Sequence, residues 1–150
     1  MAYEEKGLWL QLGATLVILF IYGQTLIGYS PDELASAGVI SSLLMKIVIF
    51  SISIMVIGHI ALAIVDHRNA EGPKDEREQL IELKGAYHGY WVLQVGVYLA
   101  VTHYLVEISD WSFSLHFDIP FMTLHILCSA FLLAEAVAYG KQLWHHRAGI

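Results

Sequence analysis

The sequence predicts an all-α integral membrane protein, a four-helix bundle with both termini cytoplasmic and short interfacial segments in the outer loops. Three observations predict it. Apolar residues make up 57% of the sequence and charged ones 15%, a more apolar balance than a soluble domain of this size carries. Charge-free stretches run over 7–29, 47–65, 85–106 and 119–134, and a helix needs roughly 20 residues to cross about 30 Å of hydrocarbon. Lys6, Arg68, Lys74, Arg77, Lys84, Lys141 and Arg147 then share one side, while the loops 30–42 and 109–118 contain no Lys or Arg. That asymmetry places them in the cytoplasm. Lys46 alone stands apart, near an outer helix end where its stem can snorkel.

The first span is expected over 7–29. Glu4, Glu5 and Lys6 precede it in place of a basic run, so it does not read as a cleavable signal. Ser30-Pro31-Asp32-Glu33 reads as a helix start: Ser30 caps, Pro31 suits the first helical position and Glu33 completes a capping box. Gly38 and Ser41-Ser42 loosen the backbone before a second span over 43–66. Asn69-Ala70-Glu71-Gly72-Pro73 is a turn, and Asp75-Glu76-Arg77-Glu78 opens a helix with acids at its positive end. This amphipathic start continues into a third span over 80–108. The 110–118 loop alternates aromatic and polar residues, as a headgroup-level segment does. Pro120 begins the fourth span, over 119–143, with Glu135 inside the membrane.

Glu4-Glu5-Lys6-Gly7-Leu8-Trp9, Gly58-His59-Ile60 and Lys74-Asp75-Glu76-Arg77-Glu78 resemble the pattern of a family of small uncharacterised bacterial four-span membrane proteins. The shared features are an E-E-K-x-x-W start, a His-Ile pair near the middle of the sequence and a D-E-R cytoplasmic loop. The resemblance implies the four-span topology and marks Trp9, His59 and Arg77. It implies no mechanism.

Wrapping each span at 100° per residue gathers its polar groups into a stripe. Gln11, Thr15, Tyr22, Thr25 and Tyr29 share about 80° of the first helix. Met55, His59, Ala63 and Asp66 share a face of the second. Gly85, Gly89, Gly96, Ala100, His103 and Glu107 occupy about 60° of the third. Phe121, His125, Cys128, Glu135 and Tyr139 line the fourth, beside Ala130, Ala134 and Ala138. Ionisable groups turn away from lipid, so the stripes predict one bundle with a shared polar centre of Gln11, Thr15, Tyr22, His59, His88 and Glu135. The glycines allow close helix approach. The alanine face is expected to pack within the bundle or against another copy.

His103 and His125 lie at matched depth, roughly 7–9 Å below the outer boundary. They are candidate axial ligands for haem b, or with Glu107 a two-His, one-carboxylate metal site. His59 with Glu135 is a candidate proton-carrying pair, extended by His88. His67, His116, His145 and His146 fall at or beyond the interfaces.

A net charge of −6 without a dense basic cluster argues against nucleic acid. Cys128 alone admits no intramolecular disulfide. No catalytic motif is present, so the expected function is non-enzymatic, that of a structural, regulatory or accessory subunit of the inner membrane. Asp75, Glu76, Arg77 and Glu78 are its expected contact with a cytoplasmic partner, lipid surrounds it, and a homo-oligomer or larger complex is expected. No cofactor belongs to this reading. Haem or metal binding through His103 and His125 and a proton pathway through His59 and Glu135 are the alternatives.

Overall fold

The computed structural model describes residues 3–65, 75–109 and 119–149. The elements are α1 (Tyr3–Gly28), α2 (Pro31–Leu34), α3 (Ala37–Val65), α4 (Glu76–Ile108) and α5 (Met122–Ala148), with no strand among the described residues. Four of them, all but α2, are long and apolar enough to cross a membrane. The fold is an all-α multi-pass membrane bundle. The expected capping box of Ser30 with Glu33 starts α2, and a second capping box, Asp75 with Glu78, starts α4 where a helix start was expected. The turn expected at 69–73 and the headgroup segment at 110–118 lie outside the described residues.

Two helix starts differ from expectation. α3 begins at Ala37, six residues before 43, because Ser41 and Ser42 donate their hydroxyls to the Gly38 and Val39 carbonyls inside the helix. A serine satisfied this way continues a helix where its composition suggests a break. α5 begins at Met122, not 119, because Phe121 adopts a left-handed conformation (φ 57°). Its carbonyl accepts from the Leu124 and His125 amides at 2.9 and 3.1 Å. The αL backbone costs a non-glycine residue roughly 1–2 kcal/mol, and it turns the backbone sharply into the first turn of α5.

The packing order is α3, α1, α5, α4. The most extensive contact is α4 on α5, then α1 on α5, then α1 on α3. Neither α3 nor α1 packs extensively on α4. Lipid tails are as apolar as leucine, so burying apolar area gives helices no net reason to associate. Close approach does, and it is visible along α4. A Cβ on Gly89 would meet the Ala134 carbonyl oxygen at 2.8 Å and Ala138 Cβ at 2.9 Å. One on Gly96 would collide with Ala130, and one on Gly85 with Gln142 and the Ala138 carbonyl. The alanine face is therefore spent inside the bundle, against the α4 glycines. α1 joins α3 and α5 through a second cluster, Ile18, Tyr22, Leu43 and Leu132. The outer faces carry Phe20, Ile27, Ile57, Ile64 and Leu83 exposed, as lipid contact requires.

Gly96→Leu and Gly89→Val are expected to destabilise the bundle by about 1–3 kcal/mol or more each, as overpacking of a close contact does. Gly13→Ala meets nothing within 4 Å and is expected to stay within about 1 kcal/mol of the parent. Detergent-titrated unfolding of the three variants measures the difference.

Candidate functional site

α1 carries the polar spine of the molecule, and its polar groups find partners on two different helices. Near the basal end, where α1 begins and α5 ends, Gln11 Nε2 donates to His59 Nε2 of α3 at 3.3 Å. Near the distal end, the Tyr22 hydroxyl lies 2.7 Å from His125 Nδ1 of α5. Tyr22 is 1% exposed and His125 5%. Thr15 is buried between them. The Cys128 side chain packs on this cluster and interacts with the Tyr22 hydroxyl.

The Tyr22 hydroxyl and His125 Nδ1 share a hydrogen bond whose donor follows the tautomer of the ring. The other ring nitrogen, Nε2, is buried with no hydrogen-bond partner among the described residues. The Pro120 backbone carbonyl lies against the ring as a hydrogen-bond acceptor. A buried polar atom without a partner costs about 1–3 kcal/mol.

His125 lines a cleft of about 670 Å³. The cleft follows from the packing order. α1 and α4 both pack on α5 and not extensively on each other, so a groove stays open between them with α5 as its floor. Its walls are Leu26 and Ile27 of α1, Val92, Val95 and Leu99 of α4, and Met122 and Ile126 of α5. Tyr29, Pro31 and Leu34 close its distal rim, and none of the described residues that line it is charged. Ser129, one turn deeper than His125, is its other polar residue besides the rim tyrosine.

The groupings expected from depth alone are not assembled. His103 Nδ1 lies 3.1 Å from Thr123 Oγ1 and 3.9 Å from Glu107 Oε2. It does not line the cleft that His125 lines. The two rings face different partners, Thr123 for His103 and Tyr22 for His125. Among the described residues no three His, Cys, Asp or Glu side chains gather as a metal site; the His103–Glu107–His125 triad is not formed. His59 takes Gln11, while Glu135 interacts with Tyr139 one turn along its own helix. His88 Nδ1 bonds the Lys84 carbonyl at 2.7 Å. His59, Glu135 and His88 thus each have a local partner of their own.

At the basal end all four long helices converge on a polar pocket of about 120 Å³. Glu4, Gln11, His59, Glu78, Glu82 and His146 line it. Of the expected partner contact, Asp75 and Glu78 are engaged in the α4 capping box, with the Asp75 amide donating to Glu78 Oε2 at 3.3 Å. Glu76 and Arg77 stay exposed. Arg147 closes the same end: its guanidinium sits 5.2 Å from the Trp9 ring centroid and its Nε 3.5 Å from Glu5 Oε1. Those residues tie the end of α5 to the start of α1.

Sequence reasoning missed the Tyr22–His125 partnership. The signal was there: Tyr22 lies seven residues inside Tyr29 and His125 six inside Ile119, which puts both at one depth. Glu4, Glu82 and Gln142 around the basal pocket were missed because neighbouring helix ends, and not one helix face, bring them together.

Tyr22→Phe strips the hydrogen-bond partner from His125 Nδ1 and is expected to cost about 1–2 kcal/mol of bundle stability, read by detergent unfolding. His145, beyond the end of the fourth span, supplies a pH test. Burial of the ring, then Lys84, His88 and Lys141 nearby, hold it below its ordinary 6.5. The detached helix end binds the proton more readily than the packed one, so stability is intact above about pH 6.5 and falls as pH drops below it. Amide exchange at the end of α5 should quicken over that window, and His145→Gln should flatten the dependence. Comparison with known protein families, with curated proteins and with solved structures finds no match to this protein.

Proposed function

We infer that this protein is a small, non-enzymatic accessory component of a bacterial inner membrane that holds an apolar molecule in the cleft between α1 and α4. The observation that carries the reading is His125, 5% exposed, with an unpartnered Nε2, on the wall of an apolar cleft of about 670 Å³. Pockets for small molecules fall in the range of about 300–1,000 Å³ and are apolar with a few placed polar groups. The basal end faces the cytoplasm in this reading, on the strength of the seven basic residues that the span order assigns to one side. It offers the exposed Glu76 and Arg77 to a soluble partner. The haem alternative has less support, because His103, the other candidate axial ligand, does not line the cleft.

Extraction into polymer-bounded native lipid discs, followed by native mass spectrometry, tests the function. A bound species of defined mass is expected, released by Val95→Trp, which fills the cleft from an exposed wall position. A protein that carries nothing, or a Val95→Trp variant that carries the same species, contradicts the reading. A Soret band lost on His125→Ala would replace it with the haem alternative.

A further inference from the structure

We propose that the polar pocket at the basal end binds a guanidinium group, held by the carboxylates of Glu4 and Glu78 and by the buried amide of Gln142. The pocket is separate from the apolar cleft, and no residue lines both. Its wall draws Glu4 from α1, His59 from α3, Glu78 and Glu82 from α4 and Gln142 from α5. Three carboxylates therefore line it, and no Lys or Arg among the described residues does. The basic side chains of this end lie elsewhere. Arg147 sits over Trp9 and beside Glu5, while Lys84 and Lys141 lie near His145.

An acidic lining alone would be a solvated helix end. Gln142 makes it more than that. Its side chain is only 8% exposed and lines the pocket. It is wedged over α4, where a Cβ on Gly85 would collide with its Cγ and Nε2. No hydrogen bond joins its amide to a described residue. A buried amide without a partner is costly, so a ligand that hydrogen-bonds it relieves a strain the empty pocket carries. Glu78 is held in place by its capping box, with Oε2 accepting from the Asp75 amide. Glu82 already has a partner of its own.

Size and chemistry then separate the occupants. About 120 Å³ is well below the roughly 300 Å³ at which pockets for drug-sized molecules begin, but it admits a single head group. A bare divalent metal needs a gathered ligand set, and among the described residues no three His, Cys, Asp or Glu form one. An ammonium is a compact, strongly hydrated point charge. A guanidinium presents five donors in a planar fork, pairs with carboxylates through two bonds at once and gives up its water more readily. That suits acceptors set on three different helices.

The test uses the full-length protein at neutral pH in nanodiscs of dioleoyl phosphatidylcholine, whose zwitterionic surface does not gather cations. Ethylguanidinium chloride is titrated, then ethylammonium chloride. Affinity is read by ligand-observed NMR, and location by the side-chain amide signals of Gln142, assigned with Gln142→Met. Saturable ethylguanidinium binding that shifts the Gln142 signals is expected, at least roughly fivefold tighter than ethylammonium. Glu4→Gln/Glu78→Gln, which preserves the capping box because Gln also serves at that position, and Gln142→Met, which keeps the side-chain volume, should each weaken it by roughly fivefold or more. Glu76→Gln, an exposed acid off the pocket, should leave it unchanged. Acetyl-Gly-Arg-Gly-amide binding more tightly than ethylguanidinium assigns the group to an arginine of a protein partner; the reverse order assigns it to a free guanidine. Either order supports the site. Absence of saturable binding, equal affinity for ethylammonium, or equal weakening by Glu76→Gln overturns the proposal. Displacement of ethylguanidinium by equimolar magnesium or zinc assigns the pocket to a metal and overturns it as well.

Discussion

Inside a bilayer these helices cannot gain from burying apolar surface, so what holds them is how closely backbones approach and which polar groups find partners. The seam of α4 on α5 supplies the first. Gly85, Gly89 and Gly96 meet Ala130, Ala134, Ala138 and Gln142 with no room for another methyl group. Everything else in the molecule is arranged around the side of α5 that the seam leaves free. α1 occupies part of it and α3 packs on the far side of α1, with the central stretch of α3 facing lipid.

The polar bonds supply the second, and they act as registration pins. Gln11–His59 fixes the height of α3 against α1, and Tyr22–His125 fixes α1 against α5. Arg147 against Trp9 and Glu5 repeats the α1–α5 link at the basal surface. Such contacts are worth about 0.6–2 kcal/mol each in membranes, so they select one arrangement among several of similar packing energy. One of them leaves a remainder. Joining Tyr22 to Nδ1 of His125 satisfies one ring nitrogen and strands the other beside the cleft.

The spans, the Ser30–Glu33 capping box and the small-residue faces of α4 and α5 were legible because each depends on residues close in sequence, or on one helix read against a 100° wheel. Gly89 and Ala134 each showed their small faces without reference to a partner. The pairings were not legible. Depth along a span locates a group in height, as it did for His103 and His125, but says nothing about rotation or about which helices are neighbours. His103 turned to Thr123 on the adjoining helix and His125 to Tyr22 on another. The helices also lie in an order that lets α1 serve two partners separately, His59 of α3 and His125 of α5. Phe121 gave no local sign of its left-handed backbone, a conformation that sequence associates with glycine or asparagine.

Fold and function meet in the state of the His125 ring. Nitrogen-15 spectra of histidine-labelled protein in lipid, assigned by the His125→Phe variant, read both ring nitrogens directly. The expected result is an Nε2 without a strong hydrogen bond, and an Nδ1 that loses its hydrogen-bond shift in Tyr22→Phe. A strongly hydrogen-bonded Nε2, or an Nδ1 indifferent to Tyr22, would contradict it.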